Sequence, residues 1–234
     1  MSRYACSDFH GQYFLYEEIN KIIKPEDIVY FLGDATDRGL RSWDLFKSIA
    51  TNPQWIYFKG NHEDMLYKAL KEYRELDGMM GSAQELLFYN GGELTFNEII
   101  TAENGAIPWV LNQIEKMPTH IVIENSNYVI SLSHAGMTPN SKKVATEYDL
   151  IWDRNHVRDS WPRAKEFSRR IEIHGHTPIP ENFITTYKFL RNPEAIYYCE
   201  GHKINIDSGA VWTNIGILFD IDTFEETIIE GVKE

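Results

Sequence analysis

Cysteine is nearly absent from this chain: Cys6 and Cys199 are the only two in 234 residues. Two cysteines make no disulfide framework, so stability has to come from a buried core, and a reducing cytosol is the expected compartment. Cys6 lies close to Asp8, but it closes an apolar segment and reads as a small buried strand residue rather than a redox group. Long apolar runs are missing too, and none approaches the roughly 20 residues that span a bilayer. Met1-Ser2-Arg3 leads straight into the first apolar segment, which leaves no room for a secretory leader in front of it. Positive charge is scarce: 23 Lys and Arg face 35 Asp and Glu, a formal net charge of −12. Basic residues cluster no further than the pairs Lys142-Lys143 and Arg169-Arg170. Nucleic acid and anionic membranes need an extended basic surface, so both are disfavoured as partners. Repeats, low-complexity tracts and linker-like segments are absent, and 43% hydrophobic residues over this length suit a single core. Residues 1–234 are therefore expected to form one domain.

The apolar residues that are present fall into two patterns. Residues 3–7, 27–32 and 55–58 read as strands, with amphipathic helices over 12–23 and 42–50 between them. That alternation implies a largely parallel sheet with crossover helices. Residues 64–76 carry Met65, Leu66, Ala69, Leu70 and Tyr73 at helical spacing, and further helices are expected over 83–89 and about 108–117, where Pro108 suits a first helical turn. Beyond Pro118 strands dominate: 120–124, 128–133, 170–174, 203–207, 215–221 and 226–229, with one helix around 160–168. Two stacked sheets with helices outside, an α/β sandwich, fit this order.

Five polar clusters punctuate the pattern, each where an apolar run stops. They are Asp8-Phe9-His10-Gly11, Gly33-Asp34-Ala35-Thr36-Asp37-Arg38-Gly39, Gly60-Asn61-His62-Glu63, His134-Ala135-Gly136 and His174-Gly175-His176-Thr177-Pro178. Carboxylates, imidazoles and one carboxamide are the hard and borderline ligands of divalent transition metals. Arginine and glycine set among them are the groups of phosphate chemistry. Asp8 and His10, two apart at a strand end, can point the same way. Taken singly, each cluster has an ordinary explanation: a helix cap at Asp8, a surface His10, an Asp-Arg-Gly turn, an N-cap at Asn61, a surface Arg154. Five of them in this order argue for one site.

These motifs resemble those of calcineurin-like metallophosphoesterases of the phosphoprotein phosphatase type, and within them the small phage and bacterial serine/threonine phosphatases. Leu86-Leu87 with Asn90-Gly91-Gly92, Ile151-Trp152-Asp153-Arg154 and Ile206-Asp207-Ser208-Gly209-Ala210 agree with it, so the likeness covers about residues 4–219. The resemblance implies an α/β/β/α sandwich of two mixed sheets with a small helical cap over 64–117. It also implies two divalent metal ions, with manganese expected and iron or zinc also suited to these ligands. Asp8 and His10 would hold the first ion, Asn61, His134 and His176 the second, and Asp34 would bridge them. His176 is preferred to His174 because the Gly-His-Thr-Pro frame aligns on it. Arg38 and Arg154 would clamp the phosphate. A hydroxide shared by the two ions would attack phosphorus in line while His62, oriented by Asp37, protonates the leaving oxygen. Glu63 would cap the helix that follows. Ser7 stands where the family carries glycine, and a small local adjustment is expected there.

The implied activity is hydrolysis of phosphoserine or phosphothreonine in proteins, with phosphotyrosine a further substrate. The alternative is a different substrate on the same centre, a symmetrical dinucleoside tetraphosphate or an RNA-end phosphate. Asp37 and Glu63 favour the protein-phosphatase branch. An inactive binding module is a third reading, disfavoured because every expected ligand and the acid are present.

Overall fold

The structure, a computed structural model, describes residues 1–137, 145–157, 159–163, 165–178, 196–198 and 200–231. Strands β1 (Arg3–Cys6), β2 (Ile28–Phe31) and β3 (Trp55–Tyr57) alternate with helices α1 (Tyr13–Ile22) and α2 (Ser42–Thr51) and pair in parallel. Strands β9 (Ile215–Asp220) and β10 (Glu226–Glu230) return antiparallel beside β1, giving the order β10-β9-β1-β2-β3. The second sheet has the order β4-β5-β6-β8-β7, built from β4 (His120–Glu124), β5 (Val129–Ser133), β6 (Arg170–His174), β7 (Ile196–Tyr198) and β8 (Lys203–Asn205). Within it β5, β6 and β8 are parallel neighbours.

The period-two alternation of the strands builds two apolar layers. Cys6, Val29, Phe31 and Leu218 point towards the helices and pack with Leu15, Ile19, Leu45 and Phe46. Their neighbours Ala5, Tyr30, Leu32, Ile217 and Phe219 face the other way, against Ile130, Leu132, Ile171, Ile173 and Ile204 of the second sheet. Each such side chain contributes roughly 1.5–3 kcal/mol through burial. The opposite face of the second sheet is polar yet also buried: Ser131, Ser133, Glu172, His174, Lys203 and Asn205. Lys203 there donates from Nζ to the carbonyls of His156 and Asp159, at 2.6 Å in the second case.

Four helices lie between the sheets in sequence: α3 (Asn61–Glu75), α4 (Ser82–Tyr89), α5 (Glu93–Thr101) and α6 (Ala106–Lys116). Leu66, Leu70, Phe96 and Ile114 from these helices join the same apolar cluster as α1 and α2. Pro108 sits in the first turn of α6, where its missing N–H leaves no bond unmade. Helix α5 was not expected from the periodicity. Nor was α7 (Glu147–Trp152), although Thr146 and Asp149 form a capping box, with Thr146 N donating to Asp149 Oδ2 at 2.8 Å.

The helix expected around 160–168 does not form; among the described residues only a 3₁₀ turn, Lys165–Phe167, lies there. Pro162 disfavours helical backbone at Trp161, whose indole instead stacks flat on His202 with centroids 4.9 Å apart. Cys199 and Lys142-Lys143 fall outside the described residues. Among those described, no helix is long and apolar enough to cross a membrane.

Candidate metal centre

The carboxyl ends of β1, β2 and β3 in one sheet and of β5, β6 and β8 in the other run into six loops that share one cavity. In open sheets of parallel strands this is where the chain leaves room for a ligand. The cavity is about 130 Å³ and is lined by Asp8, His10, Asp34, Arg38, Asn61, His62, Arg154 and His176 among others. His134 is fully buried just behind them, its Nε2 3.0 Å from Asn61 Oδ1. The expected site residues are thus brought together from loops up to 168 residues apart, the separation of Asp8 from His176.

Two groups of possible ligand atoms lie within 4.8 Å of one another, His10, Asp34 and His62 in one and Asp34, His134 and His176 in the other. Asp34 belongs to both, which is the geometry required of a bridging carboxylate. Asp8 lines the same cavity, with Oδ2 accepting from the Ser7 hydroxyl and from His176 N at 3.0 Å. Ser7 therefore supports Asp8 directly, and the chain accommodates it opposite Gly175, where any Cβ would overlap Ser7 Oγ and Asp8 Oδ2.

Each imidazole is oriented by its far nitrogen. His10 Nδ1 is 2.8 Å from Thr36 O and His134 Nδ1 is 2.7 Å from Leu32 O, so both rings donate there and turn a bare Nε2 to the cavity. Asn61 Oδ1 lies 2.8 Å from His176 Nδ1 and 3.0 Å from His134 Nε2, and the two ring nitrogens are 3.1 Å apart. Three lone-pair atoms crowded together in this way fit a shared cation. Burial is the main cause that pushes His10, His62 and His176 well below the ordinary histidine pKa, leaving neutral rings ready to ligate. Burial, then the nearby Asp8 and Glu63, pushes Asp34 well above the ordinary carboxylate range. A dication would offset the repulsion that raises Asp34 and would be met by rings that already carry no charge.

Asn61 is not the cap of α3. Gly60 holds that position, and Asn61 as first helical residue turns its amide into the cavity. His62 Nδ1 bonds Asp37 Oδ2 at 2.7 Å, and Nε2 faces Arg38 Nη2 at 3.0 Å. Since a guanidinium only donates, this Nε2 accepts and the Nδ1 proton goes to Asp37. Burial raises the Asp37 pKa to about 7. His62 Nε2 also stands within the His10 and Asp34 group, so the geometry alone admits it as a ligand as well as an acid. Arg154 follows α7, whose Trp152 is pinned by Nε1–H to Asp64 Oδ2 at 2.9 Å. His174 is buried with Nδ1 2.9 Å from Gly175 O and its ring packed edge-on to His156, outside the cavity lining.

Glu63 does more than cap a helix. Its carboxylate accepts from the backbone N–H of Asp34, Ala35, Thr36 and Gly60 and from the hydroxyls of Thr36 and Tyr57. The sequence offered only its place in the motif as a signal. Asp207, Gly209, Val211 and Trp212 also line the cavity, and Trp212 carried no sequence signal.

The chain belongs to the calcineurin-like phosphoesterase family, whose model matches residues 1–205. It is similar to the bis(5'-nucleosyl)-tetraphosphatase PrpE (asymmetrical) of Bacillus velezensis, 26% identical over 237 residues, covering 89% of this chain and 84% of that one. Among solved structures, a protein assigned as a candidate diadenosine tetraphosphatase superposes with a TM-score of 0.62 at 14% identity, covering 99% of this chain and 94% of the other. A serine/threonine phosphatase of Saccharomyces cerevisiae with similarity to human phosphatase PP5 gives 0.53 at 16% identity, covering 100% and 81%. At these identities the solved structures speak for the fold alone. The family acts on phosphoesters with divalent metals, and two ligand groups of the required kind are present.

Proposed function

We propose that this chain hydrolyses phosphate monoesters on protein side chains, seryl and threonyl and also tyrosyl, with two divalent metal ions. The observation that carries the reading is the convergence of the six expected ligands, two arginines and the Asp37–His62 pair on one small cavity. One ion would rest on Asp8, His10 and Asp34, the other on Asp34, Asn61, His134 and His176. When bound, ions of the manganese, iron or zinc kind supply Lewis acidity and lower the pKa of water. Arg38 and Arg154 hold the phosphoryl oxygens and fix the in-line geometry. Asp37 fixes the His62 ring so that Nε2 meets the leaving oxygen and delivers its proton there. Arg38 and Arg154 both help depress the His62 pKa, after burial. An anionic phosphoryl group between them offsets those charges and favours the protonated acid in the complex.

The cavity volume of about 130 Å³ suits a phosphoryl group, whereas pockets that enclose a drug-sized ligand run to roughly 300–1,000 Å³. Phosphate would be recognised inside and the rest of the substrate outside. A second reading, a dinucleoside tetraphosphate as substrate, is favoured by the named activity of the Bacillus relative. That relative is of the asymmetrical kind, and it points to a different branch from the one Asp37 and Glu63 suggest. An RNA backbone is opposed by the net charge of −12. The deciding measurement is kcat/KM on a phosphoserine peptide, a phosphotyrosine peptide and diadenosine tetraphosphate at one manganese and salt concentration. Higher values on the peptides are expected. A preference for the tetraphosphate of about tenfold or more, ~1.4 kcal/mol in transition-state binding, would install the second reading instead.

A further inference from the structure

One wall of the cavity, Gly209, Val211 and Trp212, has no part in holding metal or phosphate. Trp212 stands on α8 (Ala210–Thr213), and its side chain is 51% exposed. Unlike the chain's other exposed apolar side chains, this indole lies at the mouth of the cavity, where a substrate could cover it. Its backbone is fixed on both sides. Gly209 and Asn214 flank the turn in left-handed conformations, with φ of 65° and 58°. Trp212 N and Thr213 N both donate to Gly209 O, at 2.9 and 3.0 Å, and the Thr213 hydroxyl donates to Ser208 O at 3.1 Å. Asp207 Oδ1 accepts from Gly209 N at 2.9 Å and ties the turn to the end of β8. A rigid indole offers a π face with little entropy to lose on binding.

The ring is also in the right place. Arg38 Cζ lies 5.8 Å from the indole centroid, so the ring borders the guanidinium expected to grip the phosphoryl oxygens. Apart from the imidazoles, Trp212 is the only aromatic ring lining the cavity among the described residues.

We infer that Trp212 is a stacking subsite for a planar aromatic ring carried by the phosphate, either the phenyl ring of phosphotyrosine or the base of a nucleotide. This rests on phosphoester hydrolysis as proposed above and adds the group beyond phosphorus. The small cavity takes the phosphoryl group, and a ring attached to it emerges beside the indole. A seryl or threonyl side chain has no π face and gains nothing there. The competing role for Trp212 is to brace Arg38 through its cation–π contact, and that role acts on every phosphate alike.

The test compares wild type, Trp212→Ala and Trp212→Phe, each loaded with manganese. Equilibrium binding of the non-hydrolysable phosphonate analogues of phosphotyrosine, adenosine monophosphate and phosphoserine is measured by calorimetry, with kcat/KM on the three corresponding phosphates alongside. Alanine should weaken binding of a ring-bearing ligand by about tenfold and of phosphoserine by less than about threefold, while phenylalanine restores most of the loss. A loss confined to phosphotyrosine identifies the phenyl ring as the occupant, and one confined to the nucleotide identifies the base. Equal losses on all three ligands, or none on any, overturn the subsite. Differential binding without hydrolysis by wild type would sink the proposed activity and leave the subsite standing; hydrolysis without differential binding would do the reverse.

Discussion

Replacing Glu63 by glutamine should disable the centre without altering any residue expected to touch metal. Oε2 of Glu63 accepts from Asp34 N at 2.7 Å and Gly60 N at 3.0 Å. Oε1 accepts from Ala35 N at 3.0 Å, Thr36 N at 3.3 Å, the Thr36 hydroxyl at 3.2 Å and the Tyr57 hydroxyl at 2.8 Å. Glutamine keeps one acceptor oxygen. Whichever way its amide turns, the NH₂ end faces two backbone N–H donors, those of Asp34 and Gly60 or those of Ala35 and Thr36. Each buried donor left unpaired costs roughly 1–3 kcal/mol, and a broken buried network of this kind costs about 3–5 kcal/mol in total. Against a total stability of roughly 5–15 kcal/mol, that is a large share. Asp34 would feel it first, because its backbone sits at a φ of 60° and is held there by the Glu63 bond to its own N–H.

Urea denaturation should show the 3–5 kcal/mol loss, taken as about that size from the network above. Elemental analysis of the folded, manganese-loaded protein should show the ion lost from both positions together, since Asp34 would serve both. Tyr57→Phe is the internal control. It removes one of the donors to Oε1 and leaves the rest, so it should cost only ~1 kcal/mol. A glutamine variant within about 1 kcal/mol of wild type, with full metal content, would refute the account of how the loops are held.

Asp34→Asn should weaken both metal positions, and a clean stoichiometry of one ion with full activity would exclude a shared carboxylate. His62→Asn should cut turnover of a phosphoserine peptide by ~10²–10⁴-fold, with a smaller loss on nitrophenyl phosphate whose leaving group needs no proton. Equal losses, or loss of metal, would make His62 a ligand rather than the acid. Glu172 is held neutral by burial, its pKa raised to about 8 from 4.5, with Ser133 Oγ donating to it at 2.7 Å. The unfolded chain alone releases this proton between those two values, so the stabilisation is whole below the lower value and is lost as pH rises to the upper one. Glu172→Gln should therefore flatten a fall in stability of up to ~1.4 kcal/mol per pH unit across that window, and parallel wild-type and variant profiles would refute it.

Elements with a clear periodicity and residues inside the motifs were legible, and short elements and residues outside any motif were not. The strands came within a residue or two because Ala5/Cys6, Tyr30/Phe31 and their neighbours alternate faces in a way the sequence already displays. The family resemblance carried by the motifs implied one site for Asp8, His10, Asp34, Asn61, Arg38, Arg154 and His176, and all seven line one cavity. Helix α7 was missed although its capping box was visible, because residues 147–152 are too short for periodicity to show. The helix expected around 160–168 does not form because Pro162 disfavours helical backbone at the residue before it. Trp212 was invisible for a different reason. Its role depends on α8 following β8 back to the mouth of a cavity built by loops of both sheets, and no local pattern records that return.

The backbone of the centre is strained at most of the residues expected to form it. Asp8, His10, Asp34, Asp37, Arg38 and His176 all adopt positive φ, from 42° at His10 to 72° at Asp37. Side-chain-bearing residues reach that region at a cost of order 1–3 kcal/mol each, so the surrounding bonds must overdetermine them. They do so in a ladder: Asp8 N to Gly33 O, His10 N to Asp34 O and Gly11 N to Ala35 O, at 3.0, 3.0 and 2.9 Å, lock the first two loops together. Gly175 N to His134 O at 2.9 Å locks the two loops of the second sheet, and His134 Nδ1 reaches across to Leu32 O of the first. Glycine is then needed where the loops touch, as at Gly60, whose Cβ would overlap Asp34 Oδ1. Of these six, Asp8, His10, Asp34, Arg38 and His176 line the cavity, and Asp37 holds His62 there. The strain is offset by the cross-loop bonds, and what it secures is a set of ligand atoms held close together by the backbone itself.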